Sequence, residues 1–149
     1  MWIDDRGSEI LPVSECRRLL ALGAKLGLHG HVGIAQEGAP LVLPVDYAAD
    51  GSDVILQVGE HLFARLDGRL VAFQVDQSGN GKGSDGSDTE GRWSVLVRGL
   101  VTDVGDRPAG LHQPHPRVAE PGHRVIRVRG DVVTGRRLRD PRDGAPKAG

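Results

Sequence analysis

Apolar residues near the start of the chain repeat with the period of a helix. Four of them share one helical face by the i, i+3, i+4, i+7 spacing: Cys16, Leu19, Leu20 and Gly23. Ser14 precedes them, and its hydroxyl can accept a hydrogen bond from an unpaired amide of the first turn. The pattern predicts a short helix over 15–22 that Gly23 or Gly27 ends. Residues 1–13 are predicted to be an irregular lead-in.

After the helix the period changes to the alternation of strands. Asp50-Gly51 between two such runs is typical of a hairpin turn. Pro44 cannot donate a ladder hydrogen bond, so its strand should lie at a sheet edge or break there. Gly99 inside a long run indicates a bulge or a close backbone approach. The six predicted strands cover residues 32–35, 40–47, 53–58, 69–76, 93–104 and 124–129, and 131–137 closes the ordered part.

Six short strands with one early helix predict a mainly β chain. The pattern favours an antiparallel barrel over a doubly wound sheet, because strands do not alternate with helices. A single helical turn is predicted over 61–66. One domain is predicted over 14–138, with a flexible loop at 78–91, where no residue is apolar. A mobile lid is the alternative interpretation of that loop. The last predicted segments are a crossover loop at 107–122 and a disordered tail at 139–149.

Composition excludes several classes of protein. The 149 residues suffice for about one domain. Lys and Arg number 19 against 20 Asp and Glu, so no global basic field exists to bind nucleic acid or a membrane surface. Cys16 is the single cysteine, which excludes an internal disulfide. No apolar run approaches the roughly 20 residues of a membrane span, and the first residues do not resemble a signal peptide. We expect a soluble, cytoplasmic protein.

Motif patterns for common catalytic sites are missing from the sequence. It contains no P-loop, GxGxxG, nucleophile elbow or Ser-His-Asp order, so hydrolase and nucleotide triphosphatase activities have no support. His29 and His31 would face the same side of a strand, but no third ligand lies nearby in the sequence. We therefore predict no metal site.

Four segments in register carry a resemblance to a known family. They are Leu-Pro-Val-Asp-Tyr at 43–47 with Asp50-Gly51, Val-Ala-Phe-Gln-Val-Asp at 71–76, Trp-Ser-Val-Leu-Val-Arg-Gly at 93–99 and Val-Thr-Gly-Arg-Arg at 133–137. In this order and spacing they resemble the pyridoxamine 5'-phosphate oxidase-like family, the FMN-binding split barrels, over residues 14–138. The motifs are more specific for the fold than for a reaction, because one fold hosts several activities.

The resemblance implies a homodimer of six-stranded Greek-key split barrels with a flavin in each of two grooves between the subunits. A small molecule would be the substrate. The cofactor contacts that it implies are Val45, Asp46, Tyr47, Gln57, Val58, Trp93 and Ser94. Tyr47 and Trp93 could instead pack in the core or at the subunit interface. Asp46 could accept a hydrogen bond from the flavin or from a neighbouring backbone amide.

One segment departs from the family pattern. Relatives commonly carry a Gly-Ser-Lys-type segment after the third strand, whose lysine meets the flavin phosphate. Here Gly59-Glu60-His61 stands in its place, with His61 at the lysine position, and Gln57 replaces a common arginine. A phosphate monoester carries close to two negative charges near neutral pH, which a glutamate repels. Arg65 or Arg69 could compensate.

Two classes of function follow from these residues. The first is an FMN-binding, oxidoreductase-like protein whose flavin carries out the redox chemistry, with His61 and Arg65 among the cofactor contacts. No catalytic acid or base can be named. The second is a split-barrel binding or sensor module that has lost FMN. A deazaflavin or haem in the same groove is a further alternative, and the sequence singles out no histidine as an axial ligand.

Overall fold

The computed structural model describes residues 2–3, 7–77, 91–104 and 124–138. Within these ranges the chain forms two helices and ten strands. In chain order they are β1 (Trp2–Ile3), β2 (Glu9–Ile10), α1 (Val13–Lys25), β3 (Gly30–Ile34), β4 (Leu41–Val45), β5 (Tyr47–Asp50), β6 (Asp53–Val58), α2 (Glu60–Leu66), β7 (Leu70–Gln77), β8 (Arg92–Asp103), β9 (Arg124–Val128) and β10 (Val132–Leu138).

Strand β8 belongs to two curled sheets. Its first part pairs with β7 and β10, in the strand order β1-β2-β10-β8-β7-β3-β4, which we call sheet A. Its last part, Val101 to Asp103, pairs with β9, and β9 continues to β6 and β5 as sheet B. The described strand pairs are antiparallel. This curled half-barrel confirms the predicted mainly β split barrel.

The strand count corrects the prediction of six. The 40–47 run divides at Asp46 into β4 and β5, and β4 is an edge of sheet A, where Pro44 needs no ladder donor. The lead-in is not wholly irregular, since β2 pairs with Arg136 and Arg137 of β10. Strands of two residues are too short to show a period in the sequence. The predicted loop at 78–91 apart from Gly91, the 107–122 segment and the tail lie outside the described residues.

Helix α1 is longer than the sequence predicted. Pro12 is its N-cap, with φ −67° and ψ 158°, and the Pro12 carbonyl accepts hydrogen bonds from Glu15 and Cys16 at 3.1 Å each. The proline ring fixes φ near this value, so Pro12 suits the position before the first helical residue. Ser14 lies inside the helix and is not its cap. Gly23 lies inside the helix, and Gly27, at φ +70°, follows its end. The predicted apolar face is buried as a whole.

Aromatic side chains fix α1 against the barrel at Gly23. The Tyr47 hydroxyl donates to the Leu20 carbonyl of α1 at 2.7 Å, and the Tyr47 ring lies 4.9 Å from that of Phe73. A Cβ at Gly23 would overlap the Tyr47 hydroxyl and lie 3.2 Å from Trp93 Cη2. Both Tyr47 and Trp93 are buried. A glycine inside the helix therefore makes room for both rings.

The core between the sheets and α1 is mainly aliphatic. Alternate residues of β7 and β8 point inward, and each such burial stabilises the fold by about 1.5–3 kcal/mol. They are Val71, Phe73, Val75, Trp93, Val95, Val97 and Val101.

The β5–β6 hairpin is held to β9 by charged groups. Arg127 Nη1 donates to Asp50 Oδ2 and Asp53 Oδ2, each at 2.8 Å. Asp53 Oδ1 also accepts from the Gly130 amide at 2.8 Å. The two carboxylates raise the pKa of Arg127 against the opposing effect of its partial burial. The turn at Gly51 and Ser52 is thereby tied to the sheet that carries it.

Gly99 is the point at which β8 passes from sheet A to sheet B. A Cβ there would overlap the carbonyl oxygen of Arg129, which confirms the close approach predicted for Gly99. The Arg129 amide donates to the Leu100 carbonyl at 3.0 Å. The Leu100 amide is 3.4 Å from Asp131 Oδ2. Only a residue without a side chain lets these two backbone segments meet.

We expect Gly99→Ala to lower the free energy of unfolding by about 1–3 kcal/mol or more, because a methyl group must displace backbone rather than a side chain. Chemical denaturation of both proteins measures this. Gly33→Ala is the matched control on sheet A, where the nearest atoms to a Cβ are 3.9 and 4.0 Å away. Equal stability of the two variants would contradict the assigned contact.

We expect stability to fall more steeply with pH above about 10 in the wild type than in Tyr47→Phe. Burial raises the pKa of Tyr47 well above its usual value, so the unfolded chain loses that proton first. The difference in slope approaches about 1.4 kcal/mol per pH unit. Below that range the variant is less stable by about 0.5–1.5 kcal/mol through the lost hydrogen bond.

Denaturation at a series of pH values tests this expectation. Tyr47 is the only tyrosine of the chain, so tyrosinate absorbance reports its ionisation alone. Ionisation of the folded protein at the usual tyrosine pKa would show that the hydroxyl is not buried.

Candidate functional site

The β4–β5 junction carries three of the predicted cofactor contacts. Val45 and Tyr47 are buried, and the Tyr47 ring belongs to the core described above. Asp46 lies between the strands and is partly exposed. Its Oδ1 is 2.8 Å from Nδ1 of His29, which precedes β3. An imidazole is thus the partner of Asp46 within the chain.

Four more of the predicted cofactor contacts lie at the end of β6 and on helix α2. Gln57 is partly exposed and Val58 is buried. Gly59 precedes α2, with no atom within 4 Å of where a Cβ would stand. His61 and Arg65 are exposed and four residues apart, so they share a side of α2. The predicted single turn at 61–66 is the larger part of this helix.

Arg124 is a functional candidate that sequence reasoning missed. It pairs with Val58 in the β6–β9 register, and its guanidinium carbon lies 4.4 Å from the centre of the Phe63 ring. Its Nη2 is 3.7 Å from Glu60 Oε1, and its Nη1 is 3.5 Å from Asp103 Oδ2. By the alternation of β9, Arg124 shares a face with the buried Ile126 and Val128, and this pattern does not show that its side chain reaches α2. We call Glu60, His61, Arg65 and Arg124 the α2 surface.

Arg69 is the other cation that sequence reasoning considered as a substitute for the missing lysine. It is exposed and lies just before β7, where its backbone carbonyl accepts from the Val101 amide at 2.9 Å. Its backbone thus joins the start of β7 to β8. We therefore do not include Arg69 in the α2 surface.

Trp93 and Ser94 lie apart from the α2 surface. They begin β8, opposite Gln77 and Asp76 of β7. Trp93 is a core residue whose Nε1 donates to Gln77 Oε1 at 2.9 Å. Ser94 points outward, with its hydroxyl 3.4 Å from Gln74 Nε2. Tyr47 and Trp93 meet beside Gly23, but as core side chains. Within one chain the predicted contacts therefore lie at three places: the β4–β5 junction, the end of β6 with α2, and the start of β8.

The outward side of sheet A carries a row of small and apolar residues. Pairing across five strands aligns Val42, Gly33, Ala72, Arg98 and Val132. Val42 is 62% exposed, and nearby Leu70 is 74% exposed. A groove of about 460 Å³ lies here, lined in part by Gly33, Leu70, Ala72, Arg98 and Val132. We call these residues with Val42 the outer apolar face, and Ser94 is on the same side of β8.

The donor set of the α2 surface fits a phosphate in kind. Guanidinium and imidazole groups are the usual partners of phosphate oxygens. Arg65, His61 and Arg124 supply them, while Glu60 and Asp103 already balance Arg124. Gln57 adds an amide that can donate and accept hydrogen bonds. The α2 surface thus brings cations together with an acid, and Arg124 also faces Asp103.

Metal sites and membrane-spanning helices are two further features to consider in the described residues. No three side chains of the metal-ligating types come together in the described ranges. Neither described helix has the length and apolar character needed to cross a bilayer.

Comparison with known proteins gives a family and a set of similar folds. The family model for pyridoxamine 5'-phosphate oxidase matches residues 12–137. The FAD binding protein from Mycobacterium smegmatis has a similar structure, with a TM-score of 0.63 and 24% identity, covering 89% of this chain and 99% of that one. The comparison with curated proteins finds no relative.

Two further solved structures share the fold at lower identity. An FAD-binding protein from Mesorhizobium loti gives a TM-score of 0.59 and 22% identity, covering 87% of this chain and 96% of that one. The flavocytochrome Anf3 from Azotobacter vinelandii gives 0.56 and 16%, covering 90% and 73%. The family match spans the ordered barrel from the start of α1 into β10, so this chain belongs to the pyridoxamine 5'-phosphate oxidase family.

Proposed function

We propose that this protein binds a flavin whose phosphate lies at the α2 surface. The observation that carries the proposal is Arg124, which lies beside α2 at the segment where the family resemblance places the phosphate contact. Arg65 and His61 add donors on the same short helix. Arg124 thus takes the place that a lysine from the segment itself has in relatives.

The residues of this chain would bind and orient the cofactor. Arg65, Arg124 and His61 would hold the phosphate, and the partly exposed Gln57 side chain would hydrogen-bond a polar edge of the ligand. When bound, a flavin supplies hydride and electron transfer. We assign no acid or base, and we propose an oxidoreductase activity without a defined substrate.

We further propose that two copies associate through the outer apolar face. Large exposed apolar side chains on one face mark an interaction surface, and Val42, Leu70 and Val132 are such side chains. Ser94 is on that same side of β8, remote in the sheet pairing from α2. A second copy packed there would bring its own Ser94 to the interface between the subunits, where the family resemblance implies the flavin groove.

The identity of the flavin is a choice between FMN and FAD. The family resemblance favours FMN. The names of two similar structures, from Mycobacterium smegmatis and Mesorhizobium loti, state FAD binding for those proteins. We therefore propose FMN or FAD as the ligand. The absorbance spectrum of the protein with its bound cofactor distinguishes a flavin from haem.

We expect purified protein, after incubation with excess FMN or FAD and removal of free ligand, to keep flavin absorbance near one per chain. Arg124→Gln should weaken binding about tenfold through the loss of one charged phosphate contact. Arg17→Gln, in which an exposed arginine of α1 bonded to Ser52 is replaced, is the matched control. A Soret band would indicate haem instead, and a featureless spectrum would refute flavin binding.

We expect the wild type to sediment as a dimer and Leu70→Glu as a monomer, because a charge at the centre of an apolar interface loses its hydration. Leu70 is 74% exposed in the single chain, so the subunit itself should remain folded. Val13→Glu, at an exposed position in the first turn of α1, should stay dimeric. A monomeric wild type at micromolar concentration would contradict the assigned interface.

A further inference from the structure

Glu60 occupies the middle of the α2 surface. Successive residues of an α-helix are rotated by about 100°. Phe63, which carries the Arg124 guanidinium, lies to one side of Glu60 on α2, and His61 and Arg65 lie to the other. A ligand that contacts the cations on both sides must therefore pass close to the Glu60 carboxylate.

Arg124 has two ion-pair partners within the chain. Its two terminal nitrogens lie 3.7 Å from Glu60 and 3.5 Å from Asp103. The side chain of Glu60 is 64% exposed and that of Arg124 44% exposed. Exposed pairs of this kind are weak, so an incoming phosphate can compete for Arg124. The Glu60 charge then remains as a repulsive neighbour of the bound phosphate.

FMN and FAD differ in how strongly the Glu60 carboxylate repels their phosphate groups. The terminal monoester of FMN carries close to two negative charges on a single phosphorus near neutral pH. Each phosphorus of FAD has one ester and one anhydride link and carries one charge. Coulomb repulsion is proportional to charge and falls with distance. A carboxylate beside the phosphate subsite therefore disfavours FMN, with both charges on the near phosphorus, more than FAD, whose second charge lies farther away.

We propose, on the basis of the flavin site proposed above, that Glu60 is a specificity-determining residue that favours FAD over FMN. The ligand class that suits such a site has one charge per phosphorus. Asp103 acts from the other side of Arg124 in the same direction.

The test compares dissociation constants of the full-length apoprotein for FMN, FAD and riboflavin, followed by flavin fluorescence. We expect Glu60→Gln to tighten FMN binding about two- to fivefold and FAD binding by a smaller factor, the range that an exposed charge pair supports. Riboflavin has no phosphate, so its affinity should not change. Glu60→Lys should move the FMN-to-FAD preference further in the same direction.

Glu37→Gln is the control, because Glu37 is an exposed acid in the β3–β4 connection. It should leave all three dissociation constants unchanged. Equal effects of Glu60→Gln on FMN and FAD, or an equal effect on riboflavin, would overturn the role of Glu60 while leaving flavin binding intact. Absence of binding of every flavin to both the wild type and the variants would overturn the flavin site itself, and the specificity role with it.

Discussion

The contact between Gly99 and the Arg129 carbonyl is the constraint on which the two sheets depend. It lets one strand leave sheet A and enter sheet B without a break, so the inward side chains of β8 line a single core. β9 is then aligned beside the end of β8 and beside β6, which places Arg124 next to α2. The position of Arg124 beside α2 thus depends on the backbone crossing at the other end of β9.

The charge on the α2 surface is balanced rather than basic. Arg124 faces two carboxylates, and its guanidinium also rests on the Phe63 ring, whose face attracts cations. An arginine held by several weak partners is positioned in advance, so less conformational entropy is lost when a ligand binds. The same partners lower the net attraction for an anion. Orientation and selectivity are therefore favoured over raw affinity.

Much of the fold could be predicted from local pattern. β7 and β8 alternate cleanly, Gly99 indicated the close approach, and the apolar face of α1 was identified residue by residue. Other features depend on partners distant in the sequence. Pro12 replaced Ser14 as the cap because backbone entry geometry outweighed the side-chain preference, and β2 exists only because β10 lies beside it. Neither the Pro12 cap nor strand β2 can be recognised from the spacing of hydrophobic residues.

The candidate site was predictable in part. The α2 segment was identified from the family resemblance, and His61 and Arg65 are exposed on it. Tyr47 and Trp93 are core side chains because Gly23 of α1 leaves room for them, and that long-range fit has no local signal. Arg124 was missed for the same reason, since the chain returns to α2 only through the β6–β9 pairing.

Gly59 stands in open space, whereas Gly23, Gly99 and Gly130 are enclosed by neighbouring atoms. The chain therefore does not tolerate larger residues equally at these positions. There is no room for a side chain at Gly99, where the two sheets meet, or at Gly23, where α1 packs against the barrel, but there is room at Gly59, in the segment before α2. Natural variation can accumulate at that segment without loss of the barrel.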